Sequence, residues 1–259
     1  MRLALGVEYD GSEFSGWETQ PARRTVQSSL ESALSSVADS PVATICAGRT
    51  DAGVHALAQV VHFDSGAERA PHEWVLGANS NLPDDVCVRW ALPVGEEFHA
   101  RYSATRRHYR YLIYNRRERS ALLRRRAAWE RGPLEVAPMQ EAGEHLVGEQ
   151  DFTSFRAAGC QAKNPVRSVV SVQVWRRGDL VHIDIAANAF LQHMVRNVAG
   201  TLMEIGKGRR DPAWVGELLA ARDRTLGAAT APPQGLYLWR IDYPPEHDLP
   251  AVSPEWLLW

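Results

Sequence analysis

The sequence predicts an α+β chain built from two β-α-β-β-α-β halves of ferredoxin-like order, carrying a central, mostly antiparallel sheet. Two observations lead there. Short alternating apolar segments are interleaved with stretches at helical spacing, and the same order of segments occurs twice along 259 residues. A chain of this length accommodates two ordinary domains. Its 45% hydrophobic and 23% charged residues suit a globular interior that needs no covalent staples.

In the first half, residues 2–9 alternate, with Leu3, Leu5, Val7 and Tyr9 on one side, and read as a strand. A polar loop, GSEFSGWETQPARR, follows. Val26, Leu30, Ala33, Leu34 and Val37 then recur at helical spacing behind Thr25, a good N-cap residue. Next come a short strand ending at Cys46, the loop AGRTDAGVHA, a strand near Gln59–Asp64, a helix around His72–Ala78 and a strand near Val86–Ala91. In the second half, residues 107–115 form a strand and about 138–147 a helix. Ser168–Arg176 and Leu180–Ala186 make a hairpin around Arg177-Gly178-Asp179, where Gly178 supplies turn freedom. A long helix runs from Phe190 to about Ile205, and Pro212 opens another. Tyr237–Tyr243 is the last strand. The expected domains are therefore 1–103 and 104–245, with a default binding cleft between the halves and an unassigned tail, 246–259.

Composition narrows the function. Three cysteines, Cys46, Cys87 and Cys160, are too scattered for a disulfide framework. His55, His62 and Asp64 fall on alternating strand positions with no fourth ligand, so no metal is expected. The N-terminal MRLALGVEYDG lacks the layout of a signal peptide. No apolar run approaches the ~20 residues of a membrane span, and a cytoplasmic location is expected. The net charge of −2 hides an uneven distribution: between Arg101 and Arg131 stand eleven arginines against two glutamates, Glu118 and Glu130. Arginine forks bind phosphate and the interleaved tyrosines of HYRYLIYN can stack on unpaired bases, so this segment suits RNA. A solvated charged face is the plainer reading of the same residues.

The loop Cys46–Ala56 lies between two strands and carries a glycine on each side of Arg49-Thr50-Asp51. It has no Gly-Lys-Ser/Thr and opens no long helix, which excludes a phosphate-binding loop of the nucleotide-hydrolase kind. On spacing alone Asp51 reads first as an Asx-turn residue. The loop, AGRTDAGVHA, nevertheless resembles the signature of the TruA family of tRNA pseudouridine synthases. YDGSEFSGWETQ (9–20), TVQSSLESAL (25–34), FHARYSATRRHYRYLIYN (98–115), DFTSFRA (151–157), NAFLQHMVRNVAGTLMEIG (188–206) and GLYL (235–238) agree in the same order. The resemblance covers about residues 3–243. Two positions depart from it: Glu18, where glutamine is common, and Gln192, where another residue, often basic, is common.

This resemblance implies a duplicated pseudouridine-synthase fold with an active-site cleft between halves. It also implies an enzyme that isomerises uridine in the anticodon stem-loop of tRNAs, around positions 38, 39 and 40, without a cofactor and as a homodimer. Asp51 matches the essential aspartate, either nucleophile or base. Tyr109 matches the tyrosine that stacks on the target base, and Arg196 the basic partner of the aspartate. Without the resemblance, Tyr109 is an ordinary core aromatic and Arg196 a solvent-facing helix residue. Arg49 matches an arginine that helps turn the base outward. Arg101, Arg106, Arg107 and Arg110 are expected on the RNA-binding surface. His193 and Asn197 are expected in supporting roles, and Leu236 and Leu238 along the pocket. A noncatalytic RNA-binding protein of the same architecture remains the alternative, as does a relative acting on other uridines.

Overall fold

The computed structural model describes residues 1–250, so most of the 246–259 tail lies outside the described residues. Among them are ten strands and five α-helices, giving a mixed α/β chain whose strand pairings are mostly antiparallel. Two compact units are present: one comprises Met1–Arg107 with residues 237–250, the other His108–Leu236. No helix among the described residues is long and apolar enough to cross a membrane.

In the first unit, β1 (Arg2–Tyr9), β2 (Ile45–Cys46), β3 (His55–Asp64), β4 (Val86–Val94) and β10 (Leu236–Asp242) are ordered β4-β1-β3-β10, with β2 beside β3. β1 runs antiparallel to β3 and to β4, and β2 antiparallel to β3. The helices are α1 (Val26–Ala38) and α2 (Pro71–Asn81), which pack on each other, α2 also on β4. Thr25 caps α1 by accepting from the Ser28 amide at 3.3 Å, and Asp39 ends it in the left-handed region at φ 52°.

One expectation needs correcting. The apolar alternation in β1 implied a single buried face, yet Leu3, Ala4, Leu5, Gly6 and Val7 are all buried. Ala4 packs with Ala47, Val60, Phe98 and Ala100, and with Tyr243, so the second face is covered as well. Gly6 stands opposite Trp90 across the β1–β4 ladder, where a side chain would collide with the indole. The last strand, expected in the second half, runs parallel to β3 with Tyr237 opposite His55 and Leu238 opposite Ala56. By its packing, residues 237–250 belong to the first unit.

The second unit holds β5 (Arg106–Asn115, from His108 on), β6 (Ala128–Glu130), β7 (Gly148–Asp151), β8 (Val166–Arg177) and β9 (Leu180–Ala187), in the order β5-β9-β8-β7 with β6 beside β5. The β8–β9 hairpin turns at Gly178, whose φ is +57°. Helix α3 (Val136–Glu144) packs on β8 and on α4 (Met194–Gly206), and α5 (Trp214–Ala221) packs against α3. Two strands, β6 and β7, were not expected, and α4 starts at Met194 rather than Phe190 because His193 adopts φ 62°. Helix α4 is buried almost all round. Gly200 lets the Ala229 carbonyl approach its backbone.

Candidate active site

The loop from Cys46 to His55 is fixed from several sides. Asp51-Ala52-Gly53-Val54 forms a turn closed by the Val54 amide donating to the Asp51 carbonyl at 3.1 Å. Gly53 has φ +77°, the conformation that the third position of a type II turn requires. Ala47 donates its amide to the Val60 carbonyl at 2.8 Å. The Gln59 side chain brackets Gly48, donating to its carbonyl at 2.6 Å and accepting from its amide at 3.3 Å. The Thr50 hydroxyl meets the buried Tyr9 hydroxyl at 2.7 Å.

The loop after β1 completes the support. Trp17 donates its amide to the Thr50 carbonyl at 3.0 Å, and Gly53 its amide to the Phe14 carbonyl at 3.4 Å. Gly16, at φ +99°, lies so close that a Cβ there would sit 2.9 Å from the Thr50 carbonyl oxygen and 3.3 Å from the Asp51 carbonyl carbon. Gly11 approaches the Val54 carbonyl still more closely. His55 Nδ1 lies 3.1 Å from the Gly11 nitrogen and 3.0 Å from Asp10 Oδ1. Burial alone would raise the Asp10 carboxyl, but hydrogen bonds with His55 and Ser12 outweigh it and hold it well below the usual carboxylate range. The close approach expected of the loop's own two glycines is thus shared. Gly53 takes the turn, while Gly11 and Gly16 of the preceding loop admit the backbone.

Asp51 is partly exposed on this turn. Arg49, two residues earlier, makes an ion pair with Glu18 at 2.7 Å, both side chains being about half exposed. Arg101 and Arg106 are exposed, as expected of RNA-facing groups. Arg107 is placed otherwise: it is buried, and its guanidinium donates to the carbonyls of Ala104 at 3.0 Å, Ala47 at 3.1 Å and Arg101. It ties the start of the Cys46–His55 loop to the turn at Arg101.

In the second unit, Tyr109 on β5 is buried and meets Phe190 edge to face at 5.0 Å. Arg110 forms a two-pronged bond to Asp184, at 2.6 and 2.8 Å, which occupies the face expected to meet RNA. Arg196 is partly buried rather than solvent-facing, and its Nε donates to the Ala231 carbonyl at 2.8 Å. The Ala231 amide returns a bond to the Arg196 carbonyl at 3.1 Å. Asn197, on the next residue of α4, is buried. It donates to the Phe155 carbonyl at 2.7 Å and accepts from Thr230 at 2.7 Å and from Arg224 at 3.0 Å, tying the helix to two loops. A cleft of about 660 Å³ opens beside the helix start, lined by Gln192, His193, Arg224, Thr225 and Thr230 among others. Arg116, Arg117, Arg119, Arg124 and Arg125 stand exposed between β5 and β6. Leu236 and Leu238 are buried.

A mixed α/β fold with a rigidly supported aspartate turn and exposed arginines suits an RNA-directed enzyme. The chain belongs to the tRNA pseudouridine synthase family, whose model matches residues 6–103 and 142–244. It is 59% identical to a protein of Nitrosococcus oceani named tRNA pseudouridine synthase A, over the full length of both chains. Proteins of the same name from Methylococcus capsulatus (56%, covering 96% of this chain and 92% of that one) and Alcanivorax borkumensis (52%, covering 99% and 97%) are similar throughout. The chain is accordingly an isomerase that converts uridine to pseudouridine in tRNA.

The Arg49–Glu18 pair then has a measurable consequence. An exposed ion pair is worth at most about 1 kcal/mol, and a polyanionic substrate competes for the same guanidinium. Glu18→Gln should tighten tRNA binding by about 2–5-fold at low salt, with the gain fading as salt rises. Equal Kd values for wild type and variant in a low-salt filter-binding titration would mean that Arg49 does not exchange Glu18 for RNA.

Proposed function

We infer that the enzyme acts on the anticodon stem-loop, on uridines around positions 38 to 40, with Asp51 as its catalytic carboxylate. The observation that supports Asp51 is the bracing of its loop by Gly16, Trp17, Gln59 and Arg107, none of which a mere surface loop requires; the anticodon stem-loop follows from the resemblance of the sequence blocks. Catalysis gains from a reacting group held in one position before substrate arrives.

The isomerisation breaks the bond from uracil N1 to the ribose C1′, turns the base, and forms a bond from C5 to C1′. The C5 proton leaves and N1 ends protonated, so atoms balance without a redox partner or group donor. A carboxylate can serve this at two points, attacking C1′ or removing a sugar proton. Tyr109 and Arg196 complete the proposed catalytic set, the tyrosine on the base and the arginine supporting the carboxylate. Arg49 assists extrusion of the target nucleotide, which costs a few kcal/mol of stacking. The exposed arginines between β5 and β6, with Arg101 and Arg106, bind the phosphate backbone, and binding weakens as salt displaces them. Arg107 and Arg110 are reassigned to holding the protein together. The enzyme works as a homodimer in the cytoplasm, and the duplicated ferredoxin-like architecture is the reading of the fold that this proposal adopts.

Mapping pseudouridine in unmodified tRNA transcripts treated with the purified protein tests the site. Product in the anticodon stem-loop supports it. Product confined to other uridines would overturn the assigned position and keep the chemistry.

A further inference from the structure

The turn from His99 to Ser103 presents an aromatic ring to solvent next to the catalytic loop. Tyr102 is 77% exposed. Behind it lies His99, with ring centroids 4.3 Å apart and planes 31° from parallel. His99 in turn lies 4.7 Å from the buried His62, which meets the buried Phe98 edge-on at 6.0 Å. A column of rings therefore runs from the core outward and ends on an uncovered tyrosine face.

The turn is held stiffly. His99 Nδ1 accepts the amides of both Arg101 and Tyr102 at 3.2 Å. Ser103 closes the turn, its amide donating to the His99 carbonyl at 2.9 Å and its hydroxyl accepting the His99 amide at 3.0 Å. Beneath, Ala100 donates to His62 Nδ1 at 3.1 Å and accepts from the Tyr243 hydroxyl at 2.6 Å. The guanidinium of Arg107 grips the Arg101 carbonyl and the Ala47 carbonyl together. It thereby sets the tyrosine's turn and the loop of Arg49 and Asp51 in one frame. Arg49 and Arg101 are both exposed in this unit. Arg101 also lies 5.8 Å from the Tyr102 ring centroid.

A single exposed tyrosine is ordinary on a protein surface. A tyrosine whose backbone amide is pinned, whose inner face is backed by another ring and whose neighbour is an exposed arginine has the parts needed to stack a base and hold its phosphate. We propose that Tyr102, backed by His99, is the stacking platform for an unpaired tRNA nucleotide adjacent to the target uridine, with Arg101 taking that nucleotide's phosphate. This rests on the tRNA reading above and adds a binding residue to it.

The test uses an anticodon stem-loop hairpin RNA with 2-aminopurine beside the target uridine, titrated into wild type, Tyr102→Phe and Tyr102→Ala. Base–aromatic stacking predicts quenching with wild type and Tyr102→Phe, and a Kd raised about tenfold with loss of quenching for Tyr102→Ala. Unchanged melting temperatures show that the variants are folded. Equal Kd and equal quenching for wild type and Tyr102→Ala would overturn the platform, and so would a Phe variant as weak as the Ala variant. Turnover of the unlabelled hairpin by wild type, measured alongside, addresses the substrate reading separately: no product there sinks that reading, whereas the binding data still decide the platform.

Discussion

Asp51→Asn should abolish pseudouridine formation, lowering kcat by about 10⁴-fold or more, if the proposed carboxylate belongs to a set that acts as a unit. The turn itself should persist. The turn is closed by backbone groups, by the Gly53 conformation and by the Tyr9, Gln59 and Trp17 contacts, none of which uses the Asp51 carboxylate. A partly exposed aspartate replaced by its isosteric amide changes stability by at most about 1 kcal/mol. Binding of tRNA is expected to stay within about threefold of wild type, because phosphate contacts supply most of the affinity. Single-turnover kinetics with a parallel Kd measurement separate these effects. Residual activity above about one hundredth of wild type, against the loss expected for a catalytic group, would remove Asp51 from the chemistry and return it to a structural turn residue.

The sequence revealed elements whose signals are local. β1 was bounded correctly by alternation, the start of α1 by Thr25, and the β8–β9 hairpin by Gly178, since each rests on periodicity or on one residue's backbone preference. The missed strands have no such signal. β6 is three residues, Ala128–Glu130, at the edge of an arginine-rich stretch, and β7 reads Gly-Glu-Gln-Asp with no apolar alternation. Both exist because neighbouring strands offer their edges. In the candidate site, Asp51 and Arg49 stood out through the motif, but what holds them did not. Burial of Arg107 needs carbonyls from residues 47, 101 and 104 to meet at one guanidinium, and nothing in an arginine run announces that. The pairing of Arg110 with Asp184 spans 74 residues and was equally invisible. A charge run pointed to the partner class, while the internal bonds of two of its members were not visible in it. Glu18 shows the reverse: its departure from the family pattern was visible, and its consequence, an ion pair on Arg49, was legible only in three dimensions.

Gly16→Ala should slow catalysis strongly, although Gly16 carries no chemistry. Its φ of +99° is a region that a Cβ makes costly, by about 1–3 kcal/mol. The added methyl would also face backbone atoms at 2.9, 3.2 and 3.3 Å, belonging to Thr50, Ala52 and Asp51. Backbone cannot rotate away as a side chain can. The Thr50 carbonyl is held by the Trp17 amide, and the Gly16 carbonyl accepts the Val26 amide at 3.2 Å at the start of α1, so neither partner yields freely. The least costly relaxation is a displacement of the Asp51 turn. A misplacement approaching 1 Å costs up to about 100-fold in rate, so kcat should fall about 10–100-fold, with tRNA affinity nearly unchanged. Gly66 provides the control: a Cβ there meets nothing within 4 Å and its φ is not positive, so Gly66→Ala should match wild type in both rate and stability. Should Gly16→Ala melt lower yet turn over at the wild-type rate, the loop after β1 would stabilise the unit without positioning its aspartate. A loss of rate without a loss of binding would establish that the position of Asp51 is set from residues 14–17, and not by the Arg-Thr-Asp motif alone.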